Sequence, residues 1–255
     1  MIEEEIEIPF PDGRSEAFLY RQEDGGRRPG VLYLTDIGGI RAANRGMARR
    51  LAGEGYSVLM PNIFYRTGRL PLFDFPVKHG EERTDRRFAE LRAPLTPDVM
   101  DRDAAVYVDF LAGLDAVGPG PFGVVGFCFS GAFAMRVAAA RPERIAAVAS
   151  FHGGGLYAES PASPHLLLPH IKARLYFGHA VQDKSMPEEA IKKLDRALAE
   201  WGGSFESEVY EGALHGWTVP GGPVYDEPQA ERAYRKLTEL LGRTLPGLHP
   251  NSFSS

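Results

Sequence analysis

A chain of 255 residues with 44% hydrophobic side chains can bury a sizeable core, and no apolar run in it approaches the length of a membrane span. The formal net charge of −5 recommends neither nucleic acid nor an anionic membrane surface as a partner. A single cysteine excludes an intramolecular disulfide framework and suits a reducing compartment.

The N-terminus, Met1-Ile2-Glu3-Glu4-Glu5-Ile6, has neither the basic nor the apolar region of a signal peptide, which predicts a cytoplasmic protein. Ile2, Ile6, Ile8 and Phe10 fall on alternate positions and predict a half-buried strand over 2–10. Asp12-Gly13 signals a turn, after which 16–20 can return as a hairpin partner. Val31-Leu32-Tyr33-Leu34 is a continuous apolar run, as in a central strand covered on both faces, and it stops at the turn Thr35-Asp36-Ile37-Gly38-Gly39. A helix is expected near 43–54, and a second buried strand over 57–60 breaks at Pro61-Asn62.

Residues 66–97 mix proline, phenylalanine and charge without clean periodicity. They read as an irregular excursion, either solvated or forming a wall over a site, with a helix over about 81–91. Asp98 is placed to cap a helix running to about Leu114. Further strands are predicted at 122–125, 145–151, 173–177 and 205–210, and further helices at 132–140, 187–201 and 229–241. The stretches 161–169 and 178–183 read as loops, and 246–255 as a loosely held tail. Strands alternating with helices predict an α/β fold with a mostly parallel central sheet and helices on both faces, in one domain over 1–255.

The chemistry centres on Gly126-Phe127-Cys128-Phe129-Ser130. A buried strand precedes this run and a helix-forming stretch, Ala132 to Ala140, follows it. Strand, tight turn and helix, with small residues two positions either side of a nucleophile, is the pattern of a nucleophile elbow. Ser130 offers a competing frame, because Cys128 and Ala132 are also small neighbours, but it lies one step further into the helix. Working residues in such sheets sit just beyond the carboxyl ends of strands. Four of those ends carry suggestive side chains: Asp36, Cys128, Asp183 and His215. His152 and His179 read as loop or pocket-wall residues, and Trp217 and Tyr65 as packing residues that could also line a pocket. No metal-ligand spacing, dinucleotide fingerprint or phosphate-binding loop emerges, so no cofactor is expected.

Four pieces in this order resemble the dienelactone hydrolase family, a cysteine-nucleophile branch of the α/β-hydrolases. They are Asp36-Ile37-Gly38-Gly39 with Pro61-Asn62-Ile63-Phe64-Tyr65-Arg66, then Gly126 to Gly131, then Gly178-His179-Ala180-Val181-Gln182-Asp183 with Pro187 following, and His215-Gly216-Trp217. The resemblance implies a small ester or lactone as substrate. It casts Cys128 as nucleophile, His215 as base and Asp183 as its orienting acid, with the backbone N–H groups of Ile37 and Phe129 as oxyanion donors. Gly38, Tyr65, His152 and Trp217 are the candidate pocket residues.

The family's best-known members carry a thiol-activating glutamate where this chain has Asp36, one methylene shorter. They also hold a substrate carboxylate with arginines, one of them at the position of Val219 here; Arg83, Arg86 or Arg87 could replace that charge. Thioester hydrolysis, acyl transfer and a non-catalytic ligand-binding role on the same fold remain open at this point. The sequence does not indicate an oligomeric state.

Overall fold

Alternation at the N-terminus produces a hairpin in which β1 (Ile2–Phe10) runs antiparallel to β2 (Gly13–Arg21), Ile8 and Phe10 facing the core and Glu5 and Glu7 facing solvent. The continuous apolar runs become β3 (Gly30–Leu34), β4 (Ser57–Pro61), β5 (Phe122–Phe127), β6 (Ile145–Phe151) and β7 (Arg174–His179), with β8 (Phe205–Val209) at the far edge. The computed structural model describes residues 1–245; the tail expected over 246–255 lies outside the described residues. Its eight strands form one sheet in the order β1-β2-β4-β3-β5-β6-β7-β8. β2 is antiparallel to both neighbours and every pair from β4 to β8 is parallel.

Successive residues of a strand face opposite sides, and the buried side chains sort accordingly. Leu32, Leu34, Val124, Leu175 and Phe177 lie on one face, Val31, Tyr33, Val125, Phe127 and Tyr176 on the other. The second face is covered by α1 (Ala42–Gly53) and α6 (Glu227–Thr244), which contribute Leu51, Leu237 and Leu241. The first is covered by α3 (Pro97–Gly113), α4 (Ser130–Ala140) and α5 (Glu188–Trp201), through Tyr107, Leu111, Phe133 and Leu194. This is the α/β-hydrolase arrangement, and it brings the carboxyl ends of β3, β5, β7 and β8 to one edge of the sheet.

Several boundaries differ from expectation for identifiable reasons. The cap of α3 is Thr96, whose hydroxyl accepts from the Val99 N–H, and not Asp98. Pro97 fixes the backbone of the first helical position, so the cap must precede it and Asp98 falls in the first turn. Residues Pro164–His170 form a 3-10 helix within the expected loop, and Gly178 and His179 extend β7. The excursion contains α2 (Glu82–Arg92) and is anchored to the body. Leu72 is buried directly over Gly39, and Arg87 Nε donates to the Leu72 carbonyl at 3.1 Å.

Candidate active site

Cys128 directly follows β5, with φ of 58° in the left-handed region. Such a backbone costs a non-glycine residue about 1–3 kcal/mol and persists only where its surroundings over-determine it. Here they do. The Cys128 N–H is shared between the Phe151 carbonyl and His152 Nδ1, each at 3.1 Å, and the Cys128 carbonyl accepts from Gly131 and Gly154 N–H at 3.0 and 3.2 Å. Gly126 must be small because an added methyl would run into the Ser130 carbonyl.

Ser130 itself is fully buried. Its hydroxyl accepts from the Phe127 N–H at 2.9 Å and has the Phe127 and Leu34 carbonyls as acceptors at 2.8 and 2.9 Å, so it ties the end of β5 to the end of β3. That placement keeps the Ser130 hydroxyl from solvent, whereas Cys128 is partly exposed.

His215, on the loop after β8, places Nε2 at 3.1 Å from Cys128 Sγ and Nδ1 at 2.6 Å from Asp183 Oδ2. The loops after β7 and β8 are held together by the Val181 N–H donating to the Ala213 carbonyl at 2.9 Å. Asp183 is buried, and its other oxygen accepts from the Ser185 N–H at 2.8 Å and the Ser185 hydroxyl at 2.6 Å. Burial works to raise the Asp183 carboxyl, but the hydrogen bonds from His215 and Ser185 hold it below the usual aspartate value. Burial likewise works to lower His215, yet its hydrogen bonds to Asp183 and Cys128, with their charges, push it up to about 10. Ser185 went unnoticed in the sequence; its signal is the Asp-x-Ser spacing of a side-chain-closed turn.

Asp36 is engaged within its own loop. Its carboxylate is clamped by Arg41, with Arg41 Nη1 at 2.6 Å from Oδ1 and Nη2 at 2.8 Å from Oδ2, and Oδ1 also accepts from the Gly38 N–H at 2.8 Å. Both oxygens are therefore engaged within the 36–41 loop, and no hydrogen bond joins Asp36 to the thiol among the described residues. The shorter side chain turns back onto its own loop. Burial opposes charge on Arg41, but the hydrogen bond and charge of Asp36 raise it above the usual arginine value. The guanidinium lies so close to the Gly38 Cα that a methyl there would collide with it. Beside Arg41 opens a groove of about 820 Å³, lined in part by Phe18, Ile40, Arg45, Arg69 and Leu70. The Ile37 and Phe129 N–H groups have no protein acceptor among the described residues.

The expected pocket residues divide. Gly38 sits on the Asp36–Arg41 loop. Tyr65 turns away to the β1–β2 hairpin, where its ring stacks on Phe10 at 4.6 Å and its hydroxyl donates to Asp12 at 2.9 Å; its neighbour Phe64 packs against Phe129 at 5.6 Å instead. Trp217 is fully buried and stacked on Tyr210 at 4.9 Å, so it is core and not wall. His152 is also buried, behind the elbow, with Nε2 at 2.8 Å from Thr218 Oγ1. His179 is buried at the end of β7 beside Ser207, and burial lowers it to about 4. Arg83, Arg86 and Arg87 are tied within the excursion to Asp74, Glu82 and Glu90, and Val219 is buried. Among the described residues no cluster of three or more His, Cys, Asp or Glu could hold a metal, and no helix is long and apolar enough to cross a membrane.

Known proteins agree with this architecture. The sequence profile of the dienelactone hydrolase family matches residues 15–245. A carboxymethylenebutenolidase of Rhodococcus opacus is 28% identical over 233 residues, which cover 89% of this chain and 86% of the relative. A crystal structure from Klebsiella pneumoniae, provisionally named a dienelactone hydrolase, superposes with a TM-score of 0.82 at 21% identity, covering 95% of this chain and 98% of that one. The dienelactone hydrolase of Anabaena variabilis superposes with a TM-score of 0.67 at 21% identity, covering 96% and 98%. With the family profile spanning most of its length, the chain belongs to the dienelactone hydrolase family and is an ester or lactone hydrolase on an α/β-hydrolase fold.

Proposed function

We propose that the chain hydrolyses a small ester or lactone through a thioester on Cys128, with His215 and Asp183 completing the triad. The observation that carries this is the unbroken line from Sγ through the imidazole to a buried carboxylate, at 3.1 and 2.6 Å. In this reading His215 takes the thiol proton and Cys128 reacts as the thiolate, the nucleophilic form of the sulfur.

The thiolate attacks the carbonyl carbon, and the oxygen becomes an oxyanion received by the Ile37 and Phe129 N–H groups. Collapse breaks the carbon–oxygen ester bond as His215 Nε2–H protonates the departing oxygen; in a lactone that oxygen stays tethered to the acyl group. Neutral His215 then takes a proton from water, whose oxygen attacks the thioester. The acid is released and the thiolate–imidazolium pair is restored. Asp183 keeps Nδ1–H engaged throughout, so Nε2 always faces the sulfur.

The test is hydrolysis of a p-nitrophenyl ester panel and a dienelactone by the wild type, Cys128→Ala and Ser130→Ala. Activity lost in Cys128→Ala and retained by folded Ser130→Ala supports the reading. Activity that survives in Cys128→Ala overturns it.

A further inference from the structure

His152 has no part in the chemistry just described, yet it is fully buried and touches the nucleophile's own peptide unit. Its Nδ1 lies 3.1 Å from the Cys128 nitrogen, which is a donor, so Nδ1 must be the acceptor and carry no proton. The proton then sits on Nε2, which donates to Thr218 Oγ1 at 2.8 Å. The ring is fixed from the remaining sides by His215 at 5.2 Å, Trp217 at 5.1 Å and Phe127 at 6.0 Å. The titratable groups facing it are His215, with the Asp36 and Asp183 charges beyond. Burial and the His215 charge drive His152 down to about 3. It therefore stays neutral while its neighbour is charged, and its one acceptor stays open.

The turn that His152 begins reaches further. His152 itself has φ of 41°, and its N–H donates to the Gly178 carbonyl of β7 at 2.7 Å. Two residues on, the Gly154 N–H donates to the Cys128 carbonyl at 3.2 Å, and the Gly155 N–H donates to the Ser185 carbonyl at 2.9 Å. His152-Gly153-Gly154-Gly155 thus grips the peptide groups on both sides of Cys128 and ties them to the loop that carries Asp183.

We propose that His152 is a positioning residue for the nucleophile. Its neutral Nδ1 holds the Cys128 N–H, and so the left-handed elbow, at the orientation that sets Sγ on His215. This inference rests on Cys128 being the nucleophile.

The test compares His152→Phe, which keeps a ring without an acceptor, with His152→Asn, whose Oδ1 can stand near the position of Nδ1. His152→Phe is expected to lower kcat by about 10- to 100-fold with KM within about threefold, as for a reacting atom displaced by a fraction of an ångström. His152→Asn recovers most of that loss.

Cys128 is the only cysteine, so iodoacetamide alkylation of the whole protein reads this thiol alone. The native alkylation rate falls with kcat in His152→Phe and returns to that of the wild type in denaturant. Thr218→Val, which removes the partner that fixes the tautomer, moves kcat in the same direction, and it decides the matter if His152→Phe does not fold. Folded variants with kcat and alkylation rate unchanged, or an asparagine no better than phenylalanine, overturn the proposal. Cys128→Ala run alongside separates the two levels. Activity retained there removes the nucleophile on which the inference rests, whereas activity abolished there with His152→Phe unimpaired removes the positioning role alone.

Discussion

Replacing Asp36 by asparagine separates a loop clamp from a thiol activator. The carboxylate meets the Arg41 guanidinium through two contacts at 2.6 and 2.8 Å, which puts the charge centres about 4 Å apart and the gross attraction at about 4 kcal/mol at an effective dielectric of about 20. The Arg41 side chain is 39% exposed, so solvent screening and the desolvation already incurred reduce the net loss to about 1–2 kcal/mol. For a chain of this size that corresponds to a fall of about 2–8 °C in Tm. In the proposed mechanism the clamped loop presents the Ile37 N–H as an oxyanion donor; losing such a donor outright costs about 100- to 1,000-fold in kcat, and one that is loosened but present should cost about 10-fold. The assays are a thermal melt, steady-state ester hydrolysis and the native alkylation rate of Cys128. A clamp predicts lower Tm and kcat with the alkylation rate preserved. An Asp36→Asn enzyme with unchanged Tm and kcat, or one whose alkylation rate collapses, refutes the clamp.

Gly126→Ala forces a methyl against the Ser130 carbonyl, and an overpacked core of this kind should cost about 1–3 kcal/mol in urea unfolding, with kcat falling alongside. Ser185→Ala removes the hydroxyl donor to Asp183 and leaves the backbone N–H, so kcat should drop about 3- to 10-fold and stability by about 1 kcal/mol, read from the same assays. His152 titrates near 3 when folded against 6.5 as a free residue, so its contribution to stability is complete above pH 6.5 and is lost as pH falls toward 3. Urea melts at about pH 7 and about pH 5 should show the wild type losing about 2 kcal/mol more than His152→Asn. His215 runs the other way: its stabilisation is complete below pH 6.5 and is lost as pH rises through about 10, so the margin of the wild type over His215→Gln narrows across that range.

The residues of the proposed triad that local pattern brings forward are those placed by chain position. Cys128 is legible because strand, turn and helix are consecutive, and Asp183 and His215 because each follows a strand of a parallel sheet. Asp36 shows the limit. Its partner Arg41 stands five residues on, at what reads as the start of a helix, and only the reversal of the 36–41 loop brings the two together. His152 is harder still, since its acceptor role depends on β5 and β6 being neighbours and on a tautomer set by Thr218, 66 residues away. Tyr65 goes to the β1–β2 hairpin while Phe64 packs on Phe129 because both lie in the hydrogen-bonded turn after β4, where no strand or helix period tells which way a side chain points. The excursion over 66–97 hid its anchor, Leu72, because one apolar side chain seated on a glycine of another loop leaves no period to detect.

The solitary cysteine also decides how this enzyme fails. A partly exposed cysteine beside a basic imidazole is the kind of thiol that peroxide oxidises first, to a sulfenic acid. Enzymes that survive this step commonly condense the sulfenic acid with a second thiol of their own. This chain has none, so no internal disulfide can arrest the oxidation. An external thiol that reaches the elbow before a second oxidation can then reduce the sulfenic acid, whereas the second oxidation makes the loss permanent.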